Sequence, residues 1–90
     1  MYFVYVLQSG LDQNWYIGFS ESIEHRVYEH NSRKNYSTKS RRPWKLIYYE
    51  AYLNKLDALG RERFLKSGSG HRFLKKQMTH YFSNVSRETF

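Results

Sequence analysis

The chain has no cysteine, which excludes both a disulfide staple and a thiolate metal site. It has no apolar run near the ~18 residues that would suggest a membrane-spanning helix. Its first ten residues, MYFVYVLQSG, lack the basic segment and small-residue cleavage site of a secretory signal, so a soluble, cytoplasmic chain is expected. No internal repeat or inter-domain linker is visible, and no basic amphipathic helix is long enough to argue for a membrane surface. Acids are scarce too: eight Asp and Glu face fifteen Lys and Arg, a net charge of +7.

Ninety residues make one small domain. A chain of that size buries only about 60–65% of the surface it exposes when unfolded, so its stability depends on efficient packing. Nine Tyr, six Phe and two Trp supply large buried areas in place of disulfides and favour a compact globule. The positive charge is clustered. Six bases and no acid lie between Arg33 and Lys45, and six bases with one acid, Glu62, between Arg61 and Lys76. Such clusters attract polyanions and steer their approach.

Tyr2–Leu7 and Trp15–Phe19 are aromatic and β-branched runs separated by a polar turn, the pattern of an antiparallel hairpin. Gly18 inside the second run marks a place where another group approaches the backbone. Ser20 reads as the N-cap of a helix over about 21–31, with Glu21 and Glu24 in its first turn. Residues 32–43 read as a polar loop ending in Pro43, and residues 45–53 as a third strand. Asn54 caps a second helix over about 55–66. Ser67-Gly68-Ser69-Gly70 reads as a break before a short amphipathic piece carrying Phe73, Leu74 and Met78. The expected fold is a small α/β (α+β) domain over residues 1–82, with residues 83–90 a frayed tail. Its sheet is three-stranded and mostly antiparallel, flanked by helices in the order β-β-α-β-α-α.

Five residues stand out. Tyr16 follows Tyr5 by eleven positions, and Arg26 and His30 follow Gly18 by eight and twelve. Arg26 borders the face of its helix that must meet the sheet, and Glu62 falls within the inward arc formed by Ala58, Leu59 and Leu65. A buried charge needs a partner, a metal or a water-filled cleft. Two readings follow: a structural Arg26–Glu62 ion pair joining the helices, or a cleft that binds phosphate. In the second, Glu62 holds a hard cation such as Mg²⁺, Arg26 offers its donor fork to phosphate oxygens, and Tyr5, Tyr16 and His30 position or deprotonate water. Glu50 could be a further metal ligand or a salt-bridged strand residue. His25, His71 and His80 lack zinc-type spacing.

This ordered set resembles the GIY-YIG nuclease domain, in its small single-domain branch, which is also similar to the catalytic subunit of branched-DNA structure-specific endonucleases. The first triplet appears as Phe3-Val4-Tyr5 and the second as Tyr16-Ile17-Gly18. Arg26, His30 and Glu62 fall on the family's arginine, histidine and metal-binding glutamate, and Arg42–Glu50 resembles the third strand. The resemblance implies hydrolysis of DNA by metal-assisted attack of water, with a single Mg²⁺ or Mn²⁺ on Glu62. Tyr5 or His30 would activate the water and Tyr16 would orient the phosphate. Gly18, Tyr36, Lys39, Arg41 and Arg42 are expected along the substrate path, and DNA is the expected partner. A protein partner could supply specificity. The competing expectations are a non-catalytic nucleic-acid-binding module and a subunit whose basic face meets an acidic protein.

Overall fold

The computed structural model describes residues 1–32 and 38–87. Strands β1 (Tyr2–Ser9) and β2 (Trp15–Ser20) form the hairpin, followed by helix α1 (Ile23–Asn31). A short 3-10 turn, Lys39–Arg41, leads into β3 (Trp44–Tyr52). Helices α2 (Lys55–Lys66), α3 (Gly68–Gln77) and α4 (Thr79–Arg87) complete the chain. The sheet is antiparallel throughout, in the order β2-β1-β3, with an irregularity between Val6 and Leu7 where β1 meets β3.

The central strand explains the division of the core. Successive side chains point to opposite faces, and both faces of β1 are covered, so Val4 to Leu7 read as an unbroken apolar run. Val4 and Val6 pack with Ile17, Ala58, Leu65 and Leu74 on the side of α2 and α3. Tyr5 and Leu7 pack with Trp44, Tyr16, Ile23 and Val27 on the side of α1. Burying each of the Val, Ile and Leu side chains in the first cluster contributes about 1.5–3 kcal/mol.

The helix starts show how side chains set the boundaries. Asn54 caps α2, its side chain accepting the Leu56 N–H at 2.9 Å. The cap of α1 is Ser22 rather than Ser20, because Ser20 still pairs with Phe3 in the ladder and its hydroxyl accepts the Ser22 N–H. The Ser67–Gly70 stretch does not break the chain as its composition suggests. Ser67 ends α2 and caps α3, accepting the Gly70 N–H at 3.1 Å. Gly70 is required for a close approach: a Cβ there would collide with the Phe64 carbonyl and lie 2.5 Å from the Leu65 Cα. Helix α4 carries the backbone on to Arg87. Among the described residues no helix is long and apolar enough to cross a membrane.

Candidate active site

The site is built on the hairpin. Tyr5 pairs with Gly18 across β1 and β2, and its ring lies over that glycine. A Cβ on Gly18 would come 2.6 Å from Tyr5 Cζ and 3.0 Å from Cε1, and closer still to the hydroxyl. The group that approaches the Gly18 backbone is therefore Tyr5 itself. Gly18 is buried beneath the ring, which closes it off from direct contact with a substrate. Tyr16, on the same face and one step along the ladder, stacks on Tyr5 with ring centroids 6.3 Å apart.

His30 enters from the last turn of α1 and is almost wholly buried, with 2% of its surface exposed. Its Nε2 lies 3.2 Å from the Tyr5 hydroxyl and its Nδ1 lies 3.0 Å from Thr38 Oγ1. The ring sits 4.3 Å from that of Tyr16. Two neighbours hold this corner in place. Trp44 donates its indole N–H to the Thr38 carbonyl at 3.0 Å. Asn31 accepts the Trp44 N–H at 2.6 Å and donates to the Trp44 carbonyl at 2.9 Å, locking the end of α1 to the start of β3.

Burial holds the His30 ring below the ordinary imidazole range, and the Arg26 charge lowers it further against an opposing pull from Glu29. Burial likewise pushes the Tyr5 phenol well up, helped by Tyr16, Glu62 and Glu29 and opposed by Arg26. The structure thus brings Tyr5, Tyr16 and His30 into direct contact, while Arg26 and Glu62 bear on the Tyr5 hydroxyl only through their charge.

Arg26 and Glu62 do not pair with each other. Arg26, exposed on α1, bridges Glu29 at 3.4 Å one turn along its own helix. Glu62, with 18% of its side chain exposed, is bridged by Lys66 at 3.0 Å along α2. The expected inter-helix ion pair does not form, and Arg26 lies at the surface instead of against the sheet. Same-helix pairs of this kind contribute about 0–1 kcal/mol, so a phosphate or a cation can displace them at low cost.

Glu50 is the opposite case. Its two oxygens accept both donors of the Arg61 fork, at 2.9 and 3.0 Å, and the hydroxyls of Tyr48 and Tyr52. It is a salt-bridged strand residue with its acceptor capacity used. Among the described residues no three His, Asp or Glu side chains converge on a metal position. A lone carboxylate such as Glu62 fits a hard cation that keeps several waters, such as Mg²⁺ or Mn²⁺, and does not fit zinc.

The described end of the basic loop, residues 38–43, is tied down more firmly than its composition suggests. Arg41 bridges Asp12 in the hairpin turn at 3.0 Å and lies over the Trp44 ring, while its carbonyl accepts the Ser9 hydroxyl. Arg42 donates to the Lys39 carbonyl at 2.6 Å and to the Asn31 carbonyl at 3.4 Å. Lys39 is exposed, and Tyr36 lies outside the described residues. Thr38, Asn31, Trp44 and Lys66 complete the site without having been expected there. Thr38 sits eight residues from His30 in a stretch with no periodicity, so spacing offered no signal for it.

Residues 1–83 match the family model described as the GIY-YIG catalytic domain. A UPF0213 protein of Staphylococcus epidermidis is 37% identical over 75 residues, covering 82% of this chain and 90% of the relative. A UPF0213 protein of Pediococcus acidilactici is 38% identical over 77 residues, covering 82% and 78%. Among solved structures, the solution NMR structure of a UPF0213 protein from Bacillus halodurans superimposes with a TM-score of 0.57 at 26% identity, covering 97% of this chain and 96% of that one.

Proposed function

This chain belongs to the GIY-YIG catalytic domain family, which supports an endonuclease-type function acting on nucleic acid, and from that premise we propose a divalent-metal-dependent hydrolase of DNA phosphodiester bonds. The observation that carries the proposal is the buried contact between the Tyr5 hydroxyl and His30 Nε2, 3.2 Å apart.

The two displaced ionisations fit a proton relay. A phenol pushed up by burial is neutral at physiological pH and cannot act as a preformed phenolate base. It can accept a proton from water while passing its own to the His30 imidazole, which burial and Arg26 keep neutral, a weaker base but one with its acceptor nitrogen free of a proton. In this relay the Nδ1–H of His30 donates to Thr38 Oγ1, which leaves Nε2 as the acceptor. The water oxygen bonds to phosphorus as the P–O bond to the departing strand breaks. Arg26 leaves Glu29 to bind the phosphate oxygens with its planar fork. Tyr16 orients the phosphate. Glu62 releases Lys66 to hold the cation, which, when bound, offsets charge on the phosphate and the departing oxygen.

The test is Mg²⁺- or Mn²⁺-dependent cleavage of duplex, single-stranded, flapped and four-way-junction DNA by wild type and Glu62→Gln. The expected result is turnover reduced at least ~100-fold in the variant, as for loss of a main electrostatic stabiliser, with DNA binding and melting temperature preserved. A preference for the flap or the junction would extend the proposal to branched or distorted DNA. Tight binding without cleavage by wild type would replace the proposal with a non-catalytic nucleic-acid-binding module.

A further inference from the structure

A second site lies at the tip of the hairpin, on the opposite face of the sheet from Tyr16. A groove of about 310 Å³ opens there between the turn, α3 and α4, at the lower end of the ~300–1,000 Å³ range of ligand pockets. Its floor is aromatic. Trp15, the first residue of β2, stacks on Phe82 of α4 with ring centroids 5.6 Å apart and planes 25° apart, and His71 of α3 lies 5.1 Å from the indole. All three rings are half-buried, so each keeps some surface in contact with solvent.

The rim is polar and lacks acids. Exposed Gln13 and Asn14 bring amide side chains from the turn, and Lys75 stands one helical turn beyond His71. Lys75 has no carboxylate within ion-pair distance among the described residues, unlike Lys66. The wall is braced: Gln8 accepts the Tyr81 hydroxyl at 2.7 Å and donates to the Gln13 carbonyl at 3.2 Å, and the Lys45 ammonium lies over the Tyr81 ring. Gln13 adopts a left-handed backbone, φ 64°, where glycine would be less strained.

We infer that this groove is a binding site for an unpaired nucleobase of a single-stranded nucleic acid, with an adjoining phosphate at Lys75. Stacking surfaces combined with a cation and no acid are how proteins hold single strands, since every base has a π-face and every linkage a negative charge. The amides of Gln13 and Asn14 match the mixed donors and acceptors of a base edge. The position ties the groove to the catalytic face. β2 is an edge strand of the sheet, and Trp15 and Tyr16 are consecutive residues pointing to opposite sides of it. A strand leaving Tyr16 therefore reaches Trp15 by passing over an edge that no other described strand covers. This continuity rests on the nuclease proposal; the base-binding groove does not.

The test is fluorescence anisotropy of a labelled oligothymidylate of about eight nucleotides, a length within the usual footprint of such sites, against a duplex of equal length, without divalent ions so that no cleavage intervenes. Phe82→Ala should weaken single-strand binding about tenfold or more and leave duplex binding essentially unchanged. Lys75→Gln, at an exposed position that tolerates substitution, should weaken it and lower its salt slope by ~0.7. NMR of the ¹⁵N-labelled protein should show the Trp15 indole N–H and the Asn14 amide shifting with the single strand. Equal losses for single strand and duplex, or shifts confined to the Tyr16 face, would overturn the inference. Because cation and turnover are absent, it stands or falls separately from the nuclease reading.

Discussion

Gly18→Ala puts the geometry of the hairpin under the sharpest test. The added methyl would lie 2.6 Å from Tyr5 Cζ and 3.0 Å from Cε1, so the ring must move. It has little room, because Tyr5 is 2% exposed and its hydroxyl is held near His30. Overpacking of this kind costs about 1–3 kcal/mol. Losing the contact to a buried imidazole adds about 1 kcal/mol. The expected destabilisation is about 2–4 kcal/mol, and a domain of this size shifts by roughly 4–8 °C in Tm per kcal/mol. Urea denaturation of a double-mutant cycle with Tyr5→Leu isolates the cause, since leucine lacks the Cζ and hydroxyl atoms that the methyl meets. Alanine at position 18 should then be nearly harmless, a coupling of about 2–4 kcal/mol. An equal cost of Gly18→Ala in both backgrounds would refute the reasoning and place the strain in the β2 backbone instead.

Glu50→Gln should destabilise by about 2–3 kcal/mol, below the ~3–5 kcal/mol of a fully buried pair because Glu50 and Arg61 keep some solvent contact. Although burial alone would raise Glu50, hydrogen bonds from Arg61, Tyr48 and Tyr52 and the Arg61 charge hold it below the usual carboxylate range. Its contribution is therefore present above the unfolded-state value near 4.5 and lost as pH falls through the lower folded value. Acid melts of wild type should show that loss and the variant should not; parallel curves would contradict it. His30, held below 6.5 by burial and Arg26, resists the proton that the unfolded chain accepts. Stability should thus fall as pH drops from about 6.5 towards the native value and then level off, and an imidazole NMR titration placing His30 above 6.5 would sink both this and the relay.

How much of this was legible in the sequence depends on whether the deciding contact was local. The hairpin could be read because the two apolar runs and the polar turn lie next to each other in the chain, and α2 because Asn54 and Asp57 mark its start within one turn. The start of α1 was displaced from Ser20 to Ser22 because both serines are competent caps. The choice between them was made by the pairing of Ser20 with Phe3, a contact seventeen residues away in the chain. The glycines near residue 70 suggested a break because composition records flexibility and not the Phe64 carbonyl that only a glycine lets so close. In the site, the convergence of Tyr5, Tyr16 and His30 followed from strand periodicity and the family spacing. Thr38 did not, since it reaches His30 from a loop. The direction of the Arg26 and Glu62 side chains was also beyond a helical wheel, which fixes where a side chain leaves the backbone but not which neighbour it takes.

Those neighbours divide the site into two parts with opposite mechanical properties. Tyr5 and His30 are each 2% exposed and sit among Thr38, Tyr16 and Trp44, whose own bonds extend to Asn31 and β3. A displacement there must disturb several contacts at once, so the distance between phenol and imidazole is set before any ligand arrives, as a proton relay requires. Among the described residues Arg26 and Glu62 are each held by one same-helix ion pair, an arrangement too weak to resist a phosphate or a hydrated cation. A site whose charges served only to join the helices would show the reverse, with Arg26 and Glu62 locked together and the tyrosines free to vary. Substitutions at the outer pair should therefore leave folding intact while altering function. Substitutions at the inner pair should alter both, and that difference lets Glu62→Gln report on chemistry and not on unfolding.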